Sequence, residues 1–227
     1  MTAFAELQAL GRSASARTTS FDADLELLRR SVDPATARRA AVLILFGDLD
    51  NRPADFQMAA VPGELDVLLV ERAATLNDHP GQVAFPGGAL DPQDAGPVAA
   101  ALREAEEETG LDPAGVSVLG TLPDVGLPIS NFLVTPVLGW WHRPTPVDVV
   151  DYGESASVFR VPVADLLNPD NRRTAVVSRG RGAHRTPAFL VNGVLVWGFT
   201  GIILHGVLEE LGWTLPWDKD REIVPVL

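Results

Sequence analysis

Residues 87–110 read Gly87-Gly88-Ala89-Leu90-Asp91-Pro92-Gln93-Asp94-Ala95-Gly96-Pro97-Val98-Ala99-Ala100-Ala101-Leu102-Arg103-Glu104-Ala105-Glu106-Glu107-Glu108-Thr109-Gly110: a glycine pair, a polar loop, then an alanine-rich segment ending in four acids within five positions. The spacing predicts a helix with Asp94 as N-cap, Pro97 in the first turn and Gly110 as the stop. Val98, Leu102, Ala105 and Thr109 follow a core-facing stripe. Glu104, Glu107 and Glu108, at i, i+3 and i+4, line another face and are expected to converge within a few ångströms. Such crowding is unfavourable in itself: like charges repel and anions at a helix C-terminus oppose the macrodipole, each contact costing roughly 0.3–1 kcal/mol. A divalent cation reverses that sign, and clustered hard oxygens suit Mg²⁺ or Mn²⁺. The run taken alone fits a solvated face equally well, because glutamate is a good helix former.

The residues before the helix favour the ligand reading. Gln82–Leu90, QVAFPGGAL, passes from a strand-like run into Pro86, Gly87 and Gly88. Adjacent glycines let backbone approach a ligand closely and present carbonyls to a cation or N–H groups to phosphate, although a glycine pair also serves as a plain turn.

Gly88, five residues, Asp94, eight residues and then Arg103-Glu104-Ala105-Glu106-Glu107-Glu108-Thr109-Gly110-Leu111 closely resembles the signature box of Nudix hydrolases. That pattern is Gly, five residues, Glu, seven residues, then Arg-Glu-aliphatic-any-Glu-Glu-any-Gly-aliphatic. Asp94 stands in for the first Glu with one extra residue after it, and Ala105 is small for its slot, so no metal role is carried onto Asp94. A second stretch, Leu68-Leu69-Val70-Glu71-Arg72-Ala73, then Gly81, then Phe85-Pro86-Gly87-Gly88, is similar to the additional motif of coenzyme A pyrophosphatases. It departs from that motif at Val70 and at Asn77, where a guanidinium would offer a planar phosphate fork. Trp197-Gly198-Phe199-Thr200-Gly201 also resembles this group. The resemblance spans roughly residues 38 to 211. It implies an α/β/α sandwich, of mixed α/β (α+β) class, with a central mixed sheet and a loop-helix-loop catalytic motif.

The chain has 227 residues, no cysteine and a net charge of −12. One domain over 36–227 is the expected count, with residues 1–35 as a helical appendage. The acidic balance argues against a nucleic-acid surface but leaves small phosphorylated substrates open. Absence of cysteine excludes a disulfide framework and a thiolate nucleophile. No run approaches the roughly 18 apolar residues of a membrane span, and no basic-then-apolar leader is present, so a cytoplasmic protein, monomer or homodimer, is expected. Asp22–Arg30 reads as a short amphipathic helix, and Phe199–Leu211 as another. Strands are expected over Ala40–Phe46, Leu65–Val70, Val116–Leu119, Asn131–Leu138, Val158–Val161 and Phe189–Val196.

The resemblance assigns Glu104, Glu107 and Glu108 to the metal, Mg²⁺ or Mn²⁺, and gives Arg103 the task of orienting them. Glu107 or a loop acid such as Glu154 takes the proton from water. Arg72, Gly87 and Gly88 meet the substrate. A coenzyme A substrate also needs cations for its 3′-phosphate, and Arg172, Arg173, Arg179, Arg181, His184 and Arg185 gather without an acid among them. That stretch reads equally as a solvated hairpin or loop. Trp140 and Trp141 fit either stacking on adenine or core packing, and His205 fits a structural role. The reaction is expected to be hydrolysis of coenzyme A to 3′,5′-ADP and 4′-phosphopantetheine. ADP-ribose or another nucleoside diphosphate derivative is the alternative within the class, and a non-catalytic nucleotide sensor the alternative outside it.

Overall fold

The computed structural model describes residues 2–14, 28, 31–48, 52–75, 80–179 and 182–225. Asn77, Arg181 and, apart from Leu28, the helix expected over Asp22–Arg30 lie outside the described residues. In chain order the elements are α1 (Ala3–Ala14), β1 (Arg38–Asp48), β2 (Leu65–Arg72), β3 (Val83–Ala84), β4 (Gly87–Ala89), α2 (Pro97–Thr109), β5 (Val116–Thr121) and β6 (Val125–Leu127). There follow β7 (Phe132–Trp141), β8 (Ser155–Pro162), α3 (Val163–Leu167), β9 (Arg172–Arg179), β10 (Gly182–Val191), β11 (Val194–Val196), α4 (Gly198–Glu210) and β12 (Glu222–Ile223).

The continuous apolar run of β1 is explained by its place at the centre of the larger sheet. There it pairs in parallel with β7, from Arg38↔Phe132 to Phe46↔Trp140, and antiparallel with β2 and β4. A strand covered on both faces needs no polar alternation. Ala41, Leu43 and Leu45 pack with Ala100, Ala101 and Ala105 of α2 and with Leu68, Val137 and Trp141. Ile44 and Phe46, on the opposite face, join the larger core with Leu7 and Leu10 of α1 and Ile203, Leu204 and Val207 of α4. The result is the expected α/β/α arrangement around a mixed sheet. A second sheet, ordered β11-β10-β9-β12, flanks it.

The first helix departs from the expected appendage, because α1 is an integral layer of the main core. Leu7 is fully buried, and Trp213 Nε1 donates to Glu6 Oε2 at 2.6 Å. Gly11 and Gly120 meet backbone to backbone, and Gly120 sits at φ 156°. Leu7→Ala is expected to lower unfolding free energy by about 3 kcal/mol, the usual cost of a buried leucine truncation, read as a shift in the urea midpoint.

Two further expectations are corrected. Phe189–Val196 is not one strand: Asn192 (φ 50°) and Gly193 (φ 84°) make a two-residue turn between β10 and β11, because this dipeptide tolerates positive φ twice in succession. The arginine-rich stretch does form a hairpin, β9 with β10, but it is not uniformly solvated. The Arg172 guanidinium is buried between the rings of Phe189 and Trp217, 4.3 and 4.6 Å from their centroids, and lies 3.1 Å from His205 Nδ1. Burial pulls its pKa down to about 10. Arg185 pairs with Glu222, and Arg173 donates to the carbonyl of Asp170 at 2.7 Å. These cations are therefore engaged in holding the second sheet together. No described helix is long and apolar enough to cross a membrane.

Candidate active site

The glycine pair and the acidic helix end meet at the edge of β1. Val42 and Ala41 pair with Gly87 and Gly88, which lays the pair flat on the central strand. Gly87 takes φ 154°, and any Cβ there would collide with Ala41 and Val42 backbone. A Cβ on Gly88 would lie 2.5 Å from the Glu104 carboxyl. The second glycine is therefore the room in which Glu104 sits.

Helix α2 starts behind Gly96 (φ 138°) with Pro97 at its first position, and Asp94 does not cap it. Asp94 instead accepts from the backbone N–H of Asp91 at 2.8 Å and grips Arg103 with both oxygens, from Nε at 3.1 Å and Nη2 at 3.0 Å. Reading the helix from its sequence missed this role. The available signal was the acidic position upstream of Arg103, where a shorter acid with one extra loop residue still reaches the guanidinium. Hydrogen bonding to Arg103 holds the Asp94 carboxyl below its ordinary range. The same guanidinium donates from Nη1 to Glu104 at 3.0 Å and Glu107 at 2.9 Å, and from Nη2 to the Ala89 carbonyl at 3.2 Å. Arg103 thus ties the helix to the glycine loop and orients two of the three glutamates.

The glutamates are placed differently from the expected single cluster. Glu108 belongs to the buried stripe with Ala101, Ala105 and Thr109, while Val98 and Leu102 are only partly covered. Its Oε2 accepts from the Gly87 N–H at 3.0 Å. Glu104 is half-buried and Glu107 exposed. Among the described residues no three acidic or histidine side chains form a finished coordination shell. Arg103 stands beside Glu104 and Glu107 as their counter-charge, while Glu108 turns inward to an amide.

The electrostatics nevertheless bring the predicted residues into one field. Burial pushes the Glu108 carboxyl up to about 7. The Gly87 hydrogen bond opposes that shift, Glu104 and Glu154 add to it, and Arg72 opposes it. Burial likewise raises Glu104, with Arg103 acting against it and Glu107 and Glu154 reinforcing it. Arg72 and Glu154 come from distant segments, joined where the Ala73 N–H donates to the Glu154 carbonyl at 2.9 Å. A half-buried and a buried carboxylate, both driven toward their neutral forms by desolvation, fit a hard divalent cation, which supplies the charge that burial withholds. Gly88, lacking a side chain, leaves room for the Glu104 carboxyl itself. Trp140 and Trp141 lie outside this constellation: Trp141 is buried against α2, and Trp140 packs edge-on against Phe4 at 5.3 Å.

Comparison with known proteins identifies the domain. A model of the NUDIX domain matches residues 56–177. The uncharacterized Nudix hydrolase NudL of Cronobacter sakazakii is 40% identical over 149 residues, covering 66% of this chain and 77% of that protein. NudL of Shigella flexneri is 37% identical over 191 residues, covering 83% and 92%. A crystal structure of a Nudix hydrolase from M. smegmatis, RenU, overlaps 56% of this chain and 71% of its own at a TM-score of 0.42 and 26% identity. Nudix hydrolases act on pyrophosphate bonds and generally use divalent ions such as Mg²⁺ or Mn²⁺. With the domain match covering more than half of its length and the acidic helix lying against the glycine pair, this chain belongs to the Nudix hydrolase family.

Proposed function

We propose that this pyrophosphohydrolase cleaves coenzyme A into 3′,5′-ADP and 4′-phosphopantetheine, using Mg²⁺ or Mn²⁺ held by Glu104, Glu107 and Glu108. What supports the reading is the Glu108 carboxyl, which accepts from the Gly87 N–H at 3.0 Å and feels the charges of both Arg72, from the second motif, and Glu154. A guanidinium near that carboxyl suits a diphosphate held against the glycine loop. A divalent ion bound here lowers the pKa of water and offsets charge on the phosphate oxygens.

The chain's own residues do the rest. Gly87 fixes the Glu108 carboxylate through its amide, and Arg103 holds Glu104 and Glu107 in their rotamers. Arg72 binds a phosphate oxygen and orients the anhydride for in-line attack. Glu107 is engaged by Arg103, so Glu154 is the acid that takes the proton from the attacking water at a carboxylate oxygen. Work in the cytoplasm, as a monomer or homodimer, fits this reading.

The test is product analysis after incubation with coenzyme A and Mn²⁺, with ADP-ribose as comparator. Formation of 3′,5′-ADP and 4′-phosphopantetheine, faster than ADP-ribose cleavage, supports the substrate. Cleavage of ADP-ribose alone removes coenzyme A and keeps the reaction. Turnover of neither, with retained nucleotide binding, returns the chain to the sensor class.

A further inference from the structure

Glu154, the acid assigned to the attacking water, ends an exposed turn over residues 151–154, so burial does not hold it in place. Its position is set by hydrogen bonds. On the helix side, Asp148 N–H donates to the Thr109 carbonyl at 3.1 Å and Val150 N–H to the Glu108 carbonyl at 3.3 Å. These donors satisfy carbonyls that the last turn of a helix leaves open, and they fix the loop on the element that carries Glu104, Glu107 and Glu108. On the strand side, Ala73 N–H donates to the Glu154 carbonyl at 2.9 Å, and β8 begins at Ser155, which pairs with Arg72 of β2. The loop is thus tied to the acidic helix at one end and to the Arg72 strand at the other.

Between those anchors Asp151, Tyr152 and Gly153 decide the direction in which the Glu154 carboxyl projects. Asp151 closes this turn with both of its acceptors. Its Oδ1 accepts from Gly153 N–H at 2.7 Å, and its carbonyl accepts from Glu154 N–H at 3.1 Å and Ser155 N–H at 3.0 Å. An aspartate bonded to the backbone two residues on is a local device that imposes a turn without help from packing. The carboxyl placed by this turn bears on the site, because its charge acts on the carboxyls of both Glu104 and Glu108. We infer that Asp151 is a positioning residue, whose side chain sets the turn that aims Glu154 at the attacking water. This rests on the proposed role of Glu154 and adds to it the residue that holds that acid in place.

The test is a double-mutant cycle on kcat in Mn²⁺, with coenzyme A or ADP-ribose, whichever the wild type cleaves. Asp151→Ala should lower kcat about 30-fold with KM within about twofold of wild type, the scale of a reacting group displaced by less than an ångström. Asp151→Asn keeps an oxygen for Gly153 N–H and should restore kcat to within about threefold of wild type. Because Asp151 acts through Glu154, the double variant Asp151→Ala/Glu154→Gln should be no slower than Glu154→Gln alone. Asp151→Ala should also melt within about 3 °C of wild type, since the turn is exposed. Wild-type kcat in Asp151→Ala, no rescue by Asp151→Asn, losses that multiply in the double variant, or a large drop in melting temperature would each overturn the inference and leave Glu154 in its role. Wild-type kcat in Glu154→Gln would remove that acid as proton acceptor, and the inference with it, while the hydrolase reading stands. Turnover of neither nucleotide by the wild type sinks the inference together with the proposed substrate.

Discussion

Glu108→Gln should abolish turnover, lowering kcat by about 10³-fold, and should make the protein more stable at pH 8 than the wild type. Both effects come from one buried carboxyl. The group titrates at about 7 in the folded chain against an ordinary 4.5. Below pH 4.5 the folded and unfolded states both carry the proton, and burial of the charge costs nothing. Between pH 4.5 and 7 the unfolded chain ionises first, so stability falls as pH rises. Above 7 the whole penalty, about 3 kcal/mol, is present. Glutamine keeps an oxygen for the Gly87 N–H and carries no charge to desolvate. The variant should therefore melt several degrees above wild type at pH 8 and level with it near pH 4, read by thermal unfolding at both values. Mn²⁺ should then raise the wild-type melting temperature and leave that of Glu108→Gln nearly unmoved, because only the carboxylate gains by binding. Wild-type turnover in the variant would take Glu108 out of the site.

The second large effect concerns the glycine pair, whose members should fail in different ways. Gly87→Ala should cost more than about 3 kcal/mol of stability, because φ 154° excludes a side chain and the Cβ would press on Ala41 and lie 2.6 Å from Val42 Cα. Those atoms belong to the central strand β1, whose core residues are locked on both faces and give no room to relax. Gly88→Ala meets only the end of the Glu104 side chain, at 2.5 Å, and a carboxyl can swing away. It should fold with near-native stability and lose activity by about 100-fold, with a raised requirement for metal. Urea unfolding and a metal titration of kcat separate the two. Equal losses of stability in both variants would show that Gly88 serves the turn rather than the room for Glu104.

Much of this was legible in residues 82–111. The helix, a proline in its first turn, its stop at Gly110 and the preceding loop all rest on local chemistry: fixed φ in proline, positive φ in glycine (70° at Gly110), and good helix formers between them. The burial of β1 was legible because an unbroken apolar run has no polar face to turn to water. Misplaced expectations involve partners far apart in the chain. Asp94 looked like a cap because capping acids sit near helix starts, but Arg103, nine residues on, competes for the same oxygens with two charge-assisted bonds. Arg172 looked solvated because an arginine's neighbours in sequence do not include Phe189, His205 and Trp217.

The sequence by itself determined the family, the acidic helix end and the presence of glycines beside it, since motif spacing and backbone preference act within a few residues. Only the tertiary structure decided that Glu108 faces inward while Glu107 faces out, that α1 packs into the core, and that Arg72 and Glu154, far apart in the chain, both act on the Glu108 carboxyl. Helical periodicity sorts residues into faces but does not say which face meets an amide, a ring or water. That depends on packing against β1 and on the loop before β8, which cross long stretches of chain and take their energies from burial rather than from local propensity.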